Sequence, residues 1–361
     1  MTVGAVIVAA GLSSRMKDFK PLMKIGDRTM IEMTINNYQA LKVDEIVVVT
    51  GYRANDIKDV LSGKNISFIH NEDYEKTHMF DSICLGLKEM ERSVDLVFIT
   101  PSDSPFVQQF TLKKMLDLLI KKGYNLLQPS YYGKNGHPLL VRSDYISMLI
   151  KHDGTNGMQG LIAKMGKDFI NVPFVDPGII LDADTKKDYE RLLDYNEERR
   201  CPSLDLCRKI QDYFEVSDSV KVHSDKVAEV ALNIYQILTN KGIKLDKKLI
   251  LAASLLHDIA KGKAHHGEVG ADWLLDMGFI EVSEIVREHM ELKNFPSTIT
   301  EKEVVYLADK LVIEDKLSAI EDRFSYKEEL YKNNEGALSS VKRRKKEALF
   351  LHEIVFGREN Y

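Results

Sequence analysis

The fold is decided by the stretch Val6-Ile-Val-Ala-Ala-Gly-Leu-Ser-Ser-Arg15, in which an apolar strand ends in a loop of small residues. Small side chains let the backbone N–H groups between Ala9 and Ser14 approach phosphate oxygens, and Arg15 and Lys20 add charge that neutralises a triphosphate. The stretch therefore predicts a nucleoside triphosphate site whose binding residues are Ala9, Ala10, Gly11, Ser14, Arg15 and Lys20. The alternative is a surface turn after an edge strand, which fits any strand-to-helix junction.

Charge and cysteine content limit the partners and the compartment. The net charge is −5, and the basic run 342–346 lies in a charged, helix-like tail where a solvated helix face is the ordinary arrangement. The three cysteines are too scattered for a disulfide framework or a thiolate zinc site, which favours a reducing compartment. No apolar run has the length of a membrane span. We expect a cytoplasmic protein without membrane or nucleic-acid partners, and its oligomeric state stays open.

Short β-branched runs alternate with helical patterns through about residue 185. This alternation predicts a mainly parallel, Rossmann-like α/β sheet with helical crossovers. The predicted strands cover residues 5–9, 45–50, 66–70, 96–100 and 126–128. The predicted helices cover residues 30–41, 54–61, 80–90 and 111–121.

The pattern changes near residue 200. A charged helix is predicted up to Arg200, where Cys201-Pro-Ser-Leu204 interrupts it. Beyond this point we predict no strand, and the clearest helices cover residues 220–238, 249–259, 268–277 and 303–312. With 361 residues, the chain is long enough for two cores. We therefore predict an α/β domain over 1–199 and an all-α domain over 200–361.

Nucleotidyl transfer also needs carboxylates near the phosphate loop to hold one or two divalent ions. Asp103 follows an apolar strand and lies in a turn bracketed by prolines, at the carboxyl edge of the predicted sheet. Asp182 and Asp184 follow the apolar run 179–181, which we also predict to be a strand. The alternative roles are turn stabilisation for Asp103 and helix capping for Asp184.

An ionisable pair, His257-Asp258, ends the apolar run 249–256 on a helix that is predicted to be buried. Buried charge needs a partner, and imidazole together with carboxylate binds Fe, Mn, Zn or Ni ions. His223 and Asp309, on other predicted helices, can supply further ligands. Because a single histidine on a helix is usually a core or surface residue, this metal-site prediction depends on the whole set.

Five motifs of the first half occur in a fixed order. They are Val8-Ala-Ala-Gly-Leu-Ser-Ser-Arg-Met16 with Lys20-Pro-Leu-Met23, then His78-Met-Phe-Asp-Ser-Ile83, Asp103-Ser-Pro105, Gly133-Lys-Asn-Gly-His-Pro138 and Asp182-Ala-Asp-Thr185. Over about residues 3–195 this series resembles the molybdenum cofactor cytidylyltransferase branch of the nucleotidyltransferases. At one position the chain departs from that pattern, because Lys17 stands where the family usually has glycine.

The resemblance implies a role for each matched residue. Ala10, Gly11, Arg15 and Lys20 would hold the triphosphate. The catalytic residues would be Arg15, Lys20 and Asp103. The base would be contacted by Ser82 and the backbone of residues 9–11. Mg²⁺ would be bound by Asp103 with Asp182 or Asp184. The acceptor side would be shaped by Gly136, His137 and Pro138.

In the second half, the order His223, His257-Asp258, Asp309 over helical sequence resembles the HD-domain phosphohydrolases. By that resemblance, His266 and His289 complete a site for a second ion, so the domain would hold one or two divalent transition metals. Lys261 matches a lysine that often follows the His-Asp pair, and it would be a catalytic residue that binds a substrate phosphate. For Arg323 we weigh a phosphate contact against a surface ion pair and favour the ion pair.

Together these features predict a bifunctional enzyme. Its first domain would transfer a nucleotidyl group, with CTP favoured, to a phosphorylated acceptor such as molybdopterin and release pyrophosphate. Its second domain would hydrolyse a phosphate ester or anhydride with the help of its metal ions. Two alternatives stay open: transfer to a sugar phosphate or an amino-alcohol phosphate, and a nucleotide sensor whose HD domain does not turn over its ligand.

Overall fold

β-Branched and apolar runs form the strands of the chain, described here from a computed structural model that covers residues 1–16, 18–295 and 297–357. Lys17, the departure from the family pattern, lies outside these residues. The strands are β1 (Val3–Ala9), β2 (Lys24–Ile25), β3 (Arg28–Thr29), β4 (Glu45–Thr50), β5 (Ser67–His70), β6 (Leu96–Pro101), β7 (Leu126–Tyr131), β8 (Lys134–Asn135), β9 (Leu139–Arg142), β10 (Phe169–Pro173), β11 (Val312–Ile313) and β12 (Lys316–Leu317).

Helices connect the strands of the first half and form nearly all of the second. They are α1 (Met30–Leu41), α2 (Ala54–Val60), α3 (Met79–Met90), α4 (Gln109–Lys122), α5 (Ile146–Ile150), α6 (Gly157–Met165), α7 (Lys186–Glu198), α8 (Leu204–Tyr213), α9 (Asp218–Asn240), α10 (Lys247–Leu256), α11 (His266–Asp276), α12 (Ile280–Glu288), α13 (Glu301–Lys310), α14 (Ile320–Leu330) and α15 (Glu335–Phe356). The chain divides into two units, Met1–Glu197 and Glu198–Tyr361.

The main sheet has the strand order β10-β7-β9-β6-β1-β4-β5, with β8 paired to β7. Strand β1 lies at its centre, parallel to β4 and β6. Strand β9 is antiparallel to both of its neighbours, β6 and β7. The predicted mainly parallel α/β sheet is therefore confirmed. Strand β9 was not predicted, because a run of four residues carries too little periodicity to identify it.

The prediction of an apolar strand before Asp182 is wrong. Residues Pro177–Ile180 form a short 3-10 helix instead. Asp176 starts this turn, because its carboxylate accepts a hydrogen bond from the Gly178 N–H at 2.8 Å. A Cβ on Gly178 would lie 2.0 Å from the Phe106 carbonyl oxygen, so the turn packs too closely against its neighbour for any larger residue. An apolar run of three residues does not distinguish these two conformations.

The second unit is helical, as predicted, with one addition. Strands β11 and β12 form a two-stranded antiparallel hairpin after α13. The sequence analysis predicted no strand here, and each of these strands is only two residues long. None of the helices in the described parts of the chain combines the length and apolar character needed to cross a lipid bilayer.

Helix α3 packs closely on the central strands of the sheet. A Cβ on Gly86 would lie 2.5 Å from Val6 Cγ1 and 3.0 Å from Val49 Cγ2, and both valines are fully buried. Because interiors are close-packed, an added methyl group forces the helix away from the sheet. The absence of a side chain at Gly86 therefore sets the distance between α3 and the strands that lead to the phosphate loop.

We expect Gly86→Ala to destabilise the first unit by about 1–3 kcal/mol, because the new methyl group overlaps the two valines. Lys88→Ala, on the exposed face of the same helix, should change stability by less than about 0.5 kcal/mol. Chemical denaturation followed by circular dichroism measures both changes, while fluorescence of Trp273, the single tryptophan, reports on the second unit. An unchanged midpoint for Gly86→Ala would contradict this packing.

Candidate functional site

The phosphate loop leaves the carboxyl end of β1 and is shaped by two close contacts. A Cβ on Gly51 would lie 2.6 Å from the Ala10 carbonyl oxygen, so glycine is needed there for the loop to lie against the end of β4. Ser13 has a positive φ of 53°, and its hydroxyl accepts a hydrogen bond from the Lys20 N–H at 3.2 Å. Ser13, which the sequence analysis did not select, thus ties the loop to the lysine that follows it.

Lys20 joins the loop to two acidic segments. Its Nζ donates to Asp184 Oδ1 at 2.6 Å and lies 3.5 Å from Asp103 Oδ2. Arg15 reaches the other oxygen of the Asp184 carboxylate, with Nη1 2.8 Å from Asp184 Oδ2. The predicted cations and carboxylates therefore meet in one place, although they lie far apart in the sequence.

Asp182 differs from Asp184 in its electrostatic surroundings. Burial, together with the nearby charges of Asp103 and Asp184, raises the pKa of Asp182 to about 6. The hydrogen bond from Lys20 is the largest contribution that lowers the pKa of Asp184, and the charge of Arg15 adds to it. Asp184 therefore already has cationic partners, whereas Asp182 faces like charge that a bound cation would neutralise.

A cavity of about 650 Å³ lies between the loop and these carboxylates. The predicted residues that line it are Ala9, Ala10, Gly11, Ser14, Arg15, Lys20, Ser82, Asp103, His137, Asp182 and Asp184. Gly136 and Pro138 do not line it. A Cβ on Gly136 would lie 2.3 Å from the Ile179 carbonyl oxygen, and that carbonyl accepts a hydrogen bond from the His137 N–H at 2.8 Å. Gly136 thus allows the close approach that positions His137 at the cavity.

Asn71 is a further residue of this site that the sequence analysis missed. It is 4% exposed, and its amide Nδ2 donates to Ser82 Oγ at 3.0 Å and to Thr77 Oγ1 at 2.9 Å. Since Ser82 Oγ accepts this bond, its own hydrogen stays available for a ligand in the cavity. Asn71 follows β5 directly, at the sheet edge where ligands of α/β folds bind, and that position was the signal to use.

The histidines and aspartates predicted in the second unit converge. His223, His257 and Asp258 place ligand atoms within 4.8 Å of one another, and so do Asp258, His266 and His289. Asp258 belongs to both groups because its two oxygens face different ways. Oδ2 lies 3.5 Å from His257 Nε2, and Oδ1 lies 3.0 Å from His266 Nε2.

Backbone carbonyls determine which ring nitrogen of three histidines faces the centre. His257 Nδ1 lies 2.7 Å from the Ser254 carbonyl oxygen, and His289 Nδ1 lies 2.6 Å from that of Val286. A carbonyl oxygen can only accept, so each Nδ1 carries the proton and each Nε2 keeps its lone pair. His223 Nδ1 makes the same contact, at 2.8 Å, with the carbonyl oxygen of Glu314. Burial also lowers the pKa of His257 to about 4, which keeps that ring neutral.

The donor set fits a divalent metal ion. The buried Nε2 atoms of His257, His266 and His289 have no hydrogen-bond partner among the described residues, and neither has Asp258 Oδ1. A buried polar atom without a partner is costly, and imidazole nitrogen with carboxylate oxygen suits transition metals. These four atoms, in two groups that share Asp258, would be satisfied by metal ions.

Asp309 completes this cluster in a more charged setting than predicted. Its Oδ1 lies 3.3 Å from His223 Nε2, and its Oδ2 accepts a hydrogen bond from Lys310 Nζ at 2.8 Å. Burial opposes its ionisation, but the charges of Lys310 and Arg323 hold the pKa of Asp309 well below its usual range. The expectation of a surface ion pair for Arg323 is wrong, because its side chain is 16% exposed and pairs with this buried carboxylate.

Lys261 lies at the same centre. Its Nζ is 2.8 Å from Asp258 Oδ2, and its side chain is half-exposed. One turn of chain separates it from Asp258, so the two residues share one side of the segment that follows α10. A flexible cation in this position can meet an anionic ligand beside the cluster.

Comparisons with known proteins agree with both motif series. Residues 5–169 match the MobA-like NTP transferase domain family, and residues 220–313 match the HD domain family. The molybdenum cofactor cytidylyltransferase of Escherichia coli (strain K12) is 31% identical over 190 residues, which cover 52% of this chain and 93% of that protein. Both resemblances predicted from the sequence are thereby confirmed.

More distant relatives share the first half only. The bifunctional protein GlmU of Francisella tularensis subsp. novicida (strain U112) is 28% identical over 170 residues, or 46% of this chain, and the match spans about a third (36%) of that protein. A nucleotidyl transferase structure from Methanothermobacter thermautotroptrophicus has 23% identity and a TM-score of 0.48, with 55% of this chain and 98% of that chain covered.

Asp258→Asn should abolish metal retention in the second unit, because the shared carboxylate serves both groups of ligands. After loading with Mn²⁺ and desalting, we expect the variant to keep less than about a tenth of the metal bound by the unaltered chain, as measured by elemental analysis. Asp272→Asn, which alters an exposed ion pair with Arg287, is the matched control and should keep its metal. Equal metal content in the two variants would rule out this ligand set.

Proposed function

The chain belongs to the MobA-like NTP transferase family through its first half and carries an HD domain in its second, and from this premise we propose a bifunctional enzyme. The first half transfers a cytidylyl group from CTP to a phosphorylated acceptor such as molybdopterin. The second half is a metal-dependent phosphohydrolase. For the first half, the observation that carries the proposal is the position of Lys20, which contacts Asp103 and Asp184 beside the phosphate loop.

In the first reaction, an oxygen of the acceptor phosphate attacks the α-phosphorus of CTP. The bond from that phosphorus to the bridging oxygen breaks, and pyrophosphate leaves. Lys20 and Arg15 bind the β- and γ-phosphates and neutralise the charge that develops on the leaving group. The acceptor oxygen is already anionic, so no protein base has to remove a proton. Alignment and charge neutralisation therefore supply the catalysis.

We assign the Mg²⁺ ligands to Asp103 and Asp182. Asp184 already holds Lys20 and Arg15 through ion pairs, whereas Asp182 has no ion-pair partner among the described residues. Mg²⁺ prefers carboxylate oxygens together with substrate phosphates, and there it would neutralise phosphate charge. Asp184 then acts as a positioning residue for the two cations.

Cytidine is favoured because the relative with 31% identity is named as a cytidylyltransferase. Ser82, oriented by Asn71, offers a hydroxyl hydrogen at the cavity, and a carbonyl oxygen of the base can accept it. His137 lies on the same cavity, where it is available to the acceptor.

In the second half, the carrying observation is the set of unpartnered Nε2 atoms on His257, His266 and His289. Divalent ions held by these atoms, Asp258, His223 and Asp309 would make a coordinated water more acidic and would polarise a phosphate. Lys261 binds a phosphate oxygen beside the cluster. Hydrolysis transfers a water oxygen to phosphorus, and the leaving group takes up a proton.

We expect pyrophosphate release in the presence of Mg²⁺ to be fastest with CTP among CTP, GTP, ATP and UTP when molybdopterin is the acceptor. A sugar phosphate that reacts faster than molybdopterin would replace it as the proposed acceptor.

Asp182→Asn should raise the Mg²⁺ concentration for half-maximal rate about tenfold or more, because a metal ligand is lost. Asp184→Asn should mainly raise the KM for CTP, because Lys20 and Arg15 lose their partner. If Asp184→Asn raises this Mg²⁺ concentration more than Asp182→Asn does, the assignment of Asp182 as the Mg²⁺ ligand is reversed.

Two adjacent histidines, His265 and His266, provide a matched test of the proposed hydrolase. With the Mn²⁺-loaded chain, we expect turnover of at least one of three substrate classes: nucleoside monophosphates, cyclic nucleotides and diadenosine polyphosphates. His266→Asn should reduce that rate about 100-fold or more, because a buried ligand is lost. His265→Asn changes an exposed residue with positive φ that asparagine tolerates, and it should leave the rate unchanged. Metal retention without any turnover would instead identify a sensor.

A further inference from the structure

A second cavity, of about 910 Å³, opens beside His223 and Asp258. Its wall includes the start of α9, strand β11 with the turn after it, and one side of α14. The match to the HD domain family ends at residue 313. The wall residues beyond that point are Glu314, Asp315, Asp322, Arg323, Tyr326 and Lys327. Much of this cavity is therefore built by a segment that the family resemblance does not describe.

The charged residues that line this cavity differ between its elements. The two cations from α14, Arg323 and Lys327, are partly buried, whereas Asp218, Glu314, Asp315 and Asp322 are exposed and Asp258, a candidate metal ligand, is buried. Among the described residues, no carboxylate lies within ion-pair distance of Lys327 Nζ. Burial, together with the charges of Arg323 and Lys310, lowers the pKa of Lys327 to about 8. An anion entering the cavity would relieve this repulsion.

The same cavity has an apolar side that is open to solvent. Tyr326 is 72% exposed, Val222 is 49% exposed and Ile313 is 40% exposed, and all three line the cavity. Clustered exposed apolar side chains beside a polar site are typical of ligand-binding surfaces. Tyr326 follows Arg323 by three positions on α14, so an aromatic ring and a guanidinium lie on one face of that helix.

We propose that this cavity selects phosphate monoesters whose alcohol part carries a planar aromatic ring. The phosphate lies beside His223 and Asp258, against Lys261 and Lys327, and the ring packs on Tyr326 and Val222. The inference rests on the proposed hydrolase, whose substrate class it names. Hydrolysis breaks the bond between phosphorus and the ester oxygen, forms one between phosphorus and a water oxygen, and leaves inorganic phosphate and the protonated alcohol.

Hydrolysis by the Mn²⁺-loaded full chain tests the ring preference. We expect kcat/KM to be at least about tenfold higher for 1-naphthyl phosphate and cytidine monophosphate than for glycerol 2-phosphate, which has no ring. Tyr326→Ala should raise the KM for the ring-bearing esters about tenfold with little change in kcat and should not affect the ring-free ester. Lys327→Gln should raise the KM for all three esters, because each carries the phosphate.

Two matched controls lie on the same stretch of chain. Tyr331→Ala and Lys332→Gln change residues that follow α14 and do not line the cavity, so they should leave every KM unchanged. If Tyr331→Ala equals Tyr326→Ala in effect, the loss is structural and the ring contact is wrong. Equal kcat/KM for ring-bearing and ring-free esters would also overturn the inference.

Binding separates this inference from the hydrolase proposal. Calorimetry with the full chain should show that naphthylmethylphosphonate, which cannot be hydrolysed, binds about tenfold more tightly than methylphosphonate, and that Tyr326→Ala removes the difference. Ring-dependent binding with no turnover of any ester would refute the hydrolase and leave the ring site standing. Turnover without ring-dependent binding would refute the ring site and leave the hydrolase standing.

Discussion

The need of buried or closely spaced carboxylates for cationic partners is the constraint on which both candidate sites depend. Asp103, Asp182 and Asp184 lie together beside one cavity, and only Asp184 has two cationic partners. In the second unit, Asp258 and Asp309 are buried, with Lys261 beside Asp258 and with Lys310 and Arg323 beside Asp309. Buried charge is stable only when a partner neutralises it. Under the proposed function, a divalent cation would add to this neutralisation at both sites.

The protein backbone prepares the second site before any ligand binds. Carbonyl oxygens of Ser254, Val286 and Glu314 lie within hydrogen-bond distance of Nδ1 of three histidines and so turn each Nε2 towards the centre. Such outer contacts orient metal ligands and raise their basicity. The first site uses the same principle with different groups, because the Ser13 hydroxyl holds the Lys20 backbone and Asn71 holds Ser82. In both units, the residues that position the ligands come from nearby turns and helix ends.

The HD motif and the segment that follows it supply different residues to the second candidate site. The HD motif accounts for the ligands up to Asp309, and the matched region ends at residue 313. Helix α14 then adds Arg323, Tyr326 and Lys327 to the wall of the adjoining cavity. For the proposed hydrolase, the residues around the metal ligands would decide which phosphate esters bind. Its substrate choice would therefore depend on a part of the chain that the motif does not include.

The sequence by itself determined the α/β and helical halves, the loop of small residues after β1 and the set of candidate metal-ligating histidines, because each depends on local periodicity or on residue types in a fixed order. Helix α1 and strand β4 have the predicted bounds. Tertiary structure decided the 3-10 helix before Asp182, the antiparallel strand β9, the burial of Arg323 against Asp309 and the bond from Asn71 to Ser82. These features follow from contacts between segments far apart in the sequence, where close approach and burial outweigh local preference.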